Sequence, residues 1–288
     1  MKAAIAYSLF GSEEIRNENC FNFNSYLRGL MINIRLNRLI YPEWTVLLET
    51  DKNVYDRYGN LLDKLCKLKH FEIRINESAP LTKAMLWRLK PLFELDQISN
   101  KVWDYVLCRD LDSPPTYREA QAVKYWMNKG KAAHAITDSV SHDVPMLGGM
   151  IGFIPKHFTM KMGLNEWGDM FENCDIEFGN KGADQLFLTK KVYPKFAKHG
   201  DDSITQHYCL GMPNSFLSDC HTSIQDMEIE IPFEYKESNQ ICGHIGSAGW
   251  YGTSTTKFIQ KHKHLFEDLI EIEASYSDIF SWVINGVY

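Results

Sequence analysis

At 288 residues, 44% of them hydrophobic, the chain is long enough for one large domain or two intimately packed halves. A net charge of −6 with both signs interspersed leaves no basic footprint for nucleic acid. Seven cysteines stand singly with no C-x-x-C, which argues against a disulfide framework or zinc knuckle and for a reduced, cytoplasmic setting. In chain order, Ala3–Leu9 reads as a first strand, too short to span a membrane, and no targeting signal is visible. Ser25 to Leu39 carries Leu27, Leu30, Met31 and Ile34 at helical spacing, closed by Pro42. Trp44–Glu49 is the second predicted strand, Val54–Leu68 a helix, and Phe71–Ile75 the third strand. Leu81–Ile98 reads as a helix that Pro91 kinks or divides. Val102–Cys108 is the fourth strand. A helix over Tyr117–Asn128 and a short strand over Ala132–Thr137 follow, then the apolar run Pro145–Ile154 with its three glycines. Gly182–Leu188 opens a further helix with Asp184 and Gln185 near its start. The tail from Thr255 to Tyr288 has apolar residues near helical spacing and packs on the body or contacts a partner or a membrane surface. Strands alternating with helices predict an α/β fold with a mostly parallel sheet flanked by helices.

The most informative segment is Val106-Leu107-Cys108-Arg109-Asp110-Leu111-Asp112-Ser113, where an apolar strand runs into two carboxylates one residue apart and then Pro114-Pro115. An i, i+2 pair at a strand end can turn both side chains toward one point, and two hard oxygens suit Mn²⁺ or Mg²⁺ beside phosphate oxygens. The plainer reading is a turn with two solvated aspartates. In α/β sheets, ligands collect beyond the carboxyl ends of the strands, where Asp110 and Asp112 fall. The glycines of the 145–154 run mark either a bulged core strand or a wall that a ligand or another chain segment approaches closely. Asp184 either faces that site or simply complements a helix dipole. Asp138, His142 and Asp143 form a polar cluster that binds hydroxyl groups or closes a turn network.

Strand, D-x-D, glycine-rich strand, Asp-Gln and finally His-x-Gly is an order of elements that resembles metal-dependent glycosyltransferases of the GT-A fold. The likeness is closest to retaining, nucleotide-sugar-dependent enzymes of the glycogenin and lipopolysaccharide galactosyltransferase kind. The middle of the chain, roughly residues 80 to 190, also resembles a group of glycosyltransferase-like proteins of bacteria and large viruses. The shared residues there are Trp87-Arg88, Arg109-Asp110-Leu111-Asp112-Ser113, Arg118-Glu119, Trp126, His142 and Gly148-Gly149-Met150-Ile151-Gly152. The resemblance implies one GT-A-like domain over 1–288. In it, 1–112 forms a nucleotide-sugar half, 113–254 an acceptor and catalytic half, and 255–288 a helical tail.

The resemblance also assigns roles. Asp110, Asp112 and His244 would hold Mn²⁺ or Mg²⁺, with His221 a lesser substitute for His244. Tyr7, Ser8, Arg16, Arg88, Arg109, Asp110 and Gly149 would contact the donor, a nucleotide diphosphate sugar and most simply a UDP-sugar. For Arg88 the alternative is a surface ion pair on a charged helix. Asp184 and Gln185 would serve the reacting sugar, whose acceptor is a glycan or other hydroxyl. The sequence departs from the family after His244-Ile245-Gly246: Ser247-Ala248-Gly249-Trp250 stands where Lys-Pro-Trp is usual, so the lysine contact to the diphosphate is missing. Two other classes stay open, a non-catalytic nucleotide-sugar or glycan binder on the same fold and an aspartate-nucleophile phosphatase. Neither G-x-G-x-x-G nor G-x-x-x-x-G-K-[ST] is present, which removes the dehydrogenase and P-loop readings.

Overall fold

The computed structural model describes residues 1–11, 23–138, 144–197, 203–208 and 246. Among them, seven strands make one sheet: β1 (Ala3–Leu9), β2 (Thr45–Asp51), β3 (Phe71–Asn76), β4 (Tyr105–Arg109), β5 (Ala133–Thr137), β6 (Met150–Phe153) and β7 (Ile204–Tyr208). Their order across the sheet is β3-β2-β1-β4-β6-β5-β7. Strands β1 to β4 pair in parallel, β6 runs antiparallel to both β4 and β5, and β7 is parallel to β5. The expected α/β fold with a mostly parallel sheet and flanking helices is what the chain forms, and β6 supplies its one reversal.

Period-2 alternation along β1 divides two hydrophobic cores. Ala3, Ile5, Tyr7 and Leu9 pack on one face beneath helices α1 (Phe23–Ile40), α2 (Lys52–Leu65) and α4 (Tyr117–Lys129). Ala4 and Ala6 face the other side, against the short helix α3 (Leu81–Met85) with its 3₁₀ continuation over 86–93, and against helices α5 (Pro155–Met162) and α6 (Ala183–Phe187). Leu27, Leu30 and Ile34 of α1 are fully buried, as their spacing predicted. Each such side chain contributes on the order of 1.5–3 kcal/mol through burial. Helix α2 begins earlier than expected because the Asp51 carboxylate accepts from Val54 N at 2.9 Å and caps it. Thr116 caps α4 by accepting from Glu119 N at 3.1 Å, and Gly130 ends it in the left-handed region.

Several expected boundaries move. The helix predicted over Leu81–Ile98 stops at Phe93: Pro91 lies inside a tighter 3₁₀ turn, and Leu95 instead bridges to Lys101. The strand of the glycine-rich run is confined to Met150–Phe153, so Gly148 and Gly149 lie in the turn that leads into it. Helix α5 and strand β7 were not anticipated. The fourth strand includes Arg109, which leaves Asp110 as the first residue beyond its carboxyl end. Cys66, Cys108 and Cys174 are free thiols. Among the described residues, no helix is long and apolar enough to cross a membrane. The tail over 255–288 lies outside the described residues.

Candidate functional site

A pocket opens at the carboxyl ends of β1 and β4, and its wall includes Ser8, Arg88, Asp110, Asp112, Asp184 and Gln185. These six residues come from four separate stretches of chain, and all six were singled out in the sequence. Strand alternation explains the convergence. Arg109 is the last β4 residue and points to the α1–α4 face, so Asp110 turns to the opposite face, where Arg88 waits.

Arg88, 4% exposed, forms an ion pair with the Asp110 carboxylate and donates from Nη1 to Arg109 O at 3.4 Å. Its backbone N–H donates to Ser8 Oγ at 3.1 Å, which ties the 3₁₀ segment to the end of β1. Gln185 Nε2 donates to Asp184 Oδ2 at 3.1 Å, and Gly148 N donates to Gln185 Oε1 at 3.3 Å. The backbone entering β6 is thereby joined to the Asp-Gln pair.

The two glycines of that turn are needed for space. A Cβ at Gly149 would lie 1.9 Å from Asp110 Oδ2, and one at Gly148 would lie 2.8 Å from Arg88 Nη2. Either methyl would collide with the Arg88–Asp110 pair itself.

Asp112 sits on the same wall. Burial first, then the charge of Asp110, pushes its carboxyl up to about 6, against the pull of Arg88 and a hydrogen bond from Tyr26. Asp184 is likewise raised, by burial and by Asp110, with Arg88 opposing. Three carboxyl groups thus share a pocket holding one guanidinium, an arrangement short of positive charge. Asp110 and Asp112 are the hard-oxygen groups of this pocket that could hold a divalent cation. Among the described residues no group of three or more His, Cys, Asp or Glu is placed to hold a metal alone.

The turn that carries the acidic pair is clamped from both sides. Asn33 Nδ2, fully buried on α1, donates to Leu111 O at 3.2 Å and Ser113 O at 3.0 Å. Ser113 Oγ donates to Gly246 O at 3.0 Å. Gly246 has φ +80, and a Cβ there would meet Met150 Sδ at 2.4 Å, so backbone and space both require glycine. The glycine of His-x-Gly therefore rests on the D-x-D turn.

Other expected site residues lie elsewhere. Tyr7 is buried among the α1-side core, and its hydroxyl accepts from Asn37 Nδ2 at 2.9 Å. Arg109 donates from Nε to Glu119 Oε1 at 2.7 Å and from Nη1 to Cys108 O and Ile151 O, both at 2.8 Å, away from the pocket. Asp138 is consumed in a buried, two-pronged ion pair with Arg118. Arg16, His142, Asp143, His221 and His244 lie outside the described residues. Sequence reasoning missed Tyr26 and Asn33, and named Gly148 only within the glycine-rich run. The first turn of a helix that follows β1 was the available signal for Tyr26; for Asn33 there was only an amide on an otherwise apolar helix stripe.

No family model matches the sequence, and no curated protein matches it at sequence level. Solved structures do share its outline. A mannosyltransferase from Pyrobaculum calidifontis, in complex with GDP-Man and Mn²⁺, is 10% identical over 74% of this chain and 55% of that one, with a TM-score of 0.38. The chain thus spans about half the length of that enzyme. A 4-diphosphocytidyl-2C-methyl-D-erythritol synthase from Anaerococcus prevotii is 12% identical over 78% of this chain and 94% of the other, at 0.40. Mouse xyloside xylosyltransferase 1 in its apo form is 11% identical over 68% and 83%, at 0.38. At these values the likeness is one of outline only.

Proposed function

We propose that the protein is a metal-dependent glycosyltransferase that moves a sugar from a nucleotide diphosphate sugar, a UDP-sugar first among them, to a hydroxyl of a glycan acceptor. The observation that carries this reading is the convergence of Ser8, Arg88, Asp110, Asp112, Asp184 and Gln185 on one pocket at the carboxyl ends of β1 and β4. Asp110 and Asp112 are the residues that would hold Mn²⁺ or Mg²⁺, which when bound supplies Lewis-acid stabilisation of a departing diphosphate. His244 is proposed as a third ligand: it stands two residues before Gly246, and two residues span at most about 7 Å. Gly246 in turn is bonded to the residue after Asp112.

Arg88 offers a guanidinium fork to phosphate or sugar hydroxyls, and Ser8 a hydroxyl at the nucleotide end; Arg16 is proposed, on the resemblance alone, as a further donor contact. Asp184 and Gln185, tethered to each other and to Gly148, hold a carboxyl and an amide at the sugar end, where they stabilise developing positive charge. The Asp-Gln then His-x-Gly order favours retention of configuration. Tyr7 and Arg109 serve this site as buried supports of the strand ends that present Ser8 and Asp110. The setting proposed is cytoplasmic, with peripheral contact to a membrane-borne acceptor compatible with it.

The test is calorimetric titration of UDP with and without Mn²⁺, on the wild type and on Asp110→Asn/Asp112→Asn. Metal-dependent binding that the double substitution abolishes, with circular dichroism unchanged, supports the reading; equal binding without metal, or none, overturns it. A second reading, a non-catalytic nucleotide-sugar binder, is favoured by one observation: Arg88 already engages Asp110 in an ion pair. Donor binding without hydrolysis or transfer of any UDP-sugar would select it. Trapping of an aspartyl-phosphate on the D-x-D would select a phosphatase instead.

A further inference from the structure

A second cleft, of about 630 Å³, lies at the β3 edge of the sheet, behind the 3₁₀ segment and away from the acidic pair. Its volume falls within the roughly 300–1,000 Å³ of small-molecule sites. One wall is aromatic: Trp167 and Phe93 meet edge to face with centroids 6.3 Å apart, and Lys90 Nζ stands 6.0 Å from the Trp167 ring centre. The other wall is the half-exposed side chain of Ile75 on β3.

The floor is polar and connected. Asn76 Nδ2 donates to Glu49 Oε2 at 2.8 Å, and Lys90 donates to Asn76 Oδ1. Arg74 Nε donates to Glu94 Oε1 at 3.1 Å. Glu49 is 1% exposed, and its second carboxylate oxygen has no hydrogen-bond partner. The four ionisable groups of the cleft are thus already engaged at home: Glu49 and Lys90 through Asn76, and Arg74 with Glu94 inside the cleft and Glu72 beside it.

That pairing selects the ligand class. A charged ligand of either sign would have to compete with these internal partners, so neither gains from the cleft as a whole. A neutral molecule that both donates and accepts hydrogen bonds, and that has an apolar C–H face for an indole, meets every wall. Saccharides have those properties. We infer that the cleft formed by Trp167, Phe93, Ile75 and the Glu49–Asn76–Lys90 chain is a binding site for a neutral saccharide, separate from the pocket at Asp110 and Asp112. This inference does not depend on the donor-site reading.

The test is ligand-observed NMR titration with maltotriose, cellotriose and tri-N-acetylchitotriose. It is run on the wild type, Trp167→Ala, Ile75→Arg and Asp110→Asn/Asp112→Asn. At least one trisaccharide is expected to bind by about 10 mM, beyond the ~1 mM range of weak ligands. Binding should weaken at least roughly tenfold in Trp167→Ala and Ile75→Arg and stay unchanged in the double aspartate variant. Ile75 is half exposed, so Ile75→Arg keeps the test decisive if Trp167→Ala fails to fold.

No binding by any of the three trisaccharides overturns the inference, as does binding that survives Ile75→Arg. Binding lost in the aspartate variant also overturns it, because the sugar then sits in the first pocket. UDP titration of the same samples reports the donor site independently, so failure of one site is told apart from failure of the other.

Discussion

Gly149→Ala puts the geometry of the acidic site to its sharpest test. The added Cβ would stand 1.9 Å from Asp110 Oδ2 and 2.4 Å from its Cγ, far inside contact distance. The backbone at Gly149 is outside the left-handed region, so alanine meets a purely spatial conflict there. The side chain of Asp110 is 45% exposed and can rotate into solvent, whereas that of Arg88 is 5% exposed and cannot follow. The fold should therefore survive, at a cost on the order of 1–3 kcal/mol from overpacking and a buried guanidinium short of one partner. The ion pair itself adds little to that figure, because its carboxylate is largely screened by water.

The functional loss should be larger in proportion. With Asp110 displaced, the two carboxylates no longer face one point, and metal-dependent UDP affinity should fall at least tenfold, about 1.4 kcal/mol. Calorimetric titration of UDP with Mn²⁺, beside a thermal melt of the same samples, reads both effects. Gly148→Ala is the companion, since its methyl would meet the end of the Arg88 side chain at 2.8 Å, a milder conflict. A folded Gly149→Ala protein with wild-type metal-dependent UDP binding would refute the assignment of Asp110 to the donor site.

Two further outcomes follow from buried polar groups. Asn33→Ala strips the D-x-D turn of both hydrogen bonds that this amide donates, to Leu111 O and Ser113 O. A loss of roughly 1–3 kcal/mol in urea unfolding is expected, together with weaker UDP binding; unchanged values in both would show that the clamp is idle. Burial, against the hydrogen bond from Asn76 and the charge of Lys90, raises the Glu49 carboxyl from its ordinary 4.5 to about 7. Across that window the native state keeps a proton that the unfolded chain has released, so stability falls as pH rises from about 4.5 to 7 and then levels. Glu49→Gln should remove this slope and exceed the wild type at pH 8 by on the order of 1–3 kcal/mol. A stability difference between the two proteins that stays constant from pH 5 to 8 would show that Glu49 titrates normally.

Much of the site was legible because strand geometry carries information from a few residues. An apolar run ending in Arg-Asp-Leu-Asp placed the carboxylates at the carboxyl end of a strand, where they are, and the Asp-Gln pair after Gly182 reached the same pocket. For Tyr7 and Arg109, expected beside the donor, the period of two points the side chains to the other core. Ser8 and Asp110 face the pocket, so their immediate neighbours in the same strands had to face the opposite core. The polar groups of Tyr7 and Arg109 were then bound to find buried partners in Asn37 and Glu119. That inference was available from the alternation of Ala4, Ala6 and Ser8 against Ile5, Tyr7 and Leu9.

What the sequence could not carry is contact between segments far apart in the chain. Gly148 and Gly149 read as a possible bulge inside a strand. Their requirement comes instead from Arg88 and Asp110, 60 and 39 residues earlier, and only pairing of β6 against β4 reveals it. The reversed direction of β6 has the same origin. Arg109 lies opposite Met150, so the residues just beyond each strand end, Asp110 and Gly149, must meet. A parallel β6 would bring the opposite end of that strand, near Ile154, beside Asp110 and leave the carboxylate no glycine to lie against. The antiparallel strand is therefore a structural condition for the acidic pair to stand where it does.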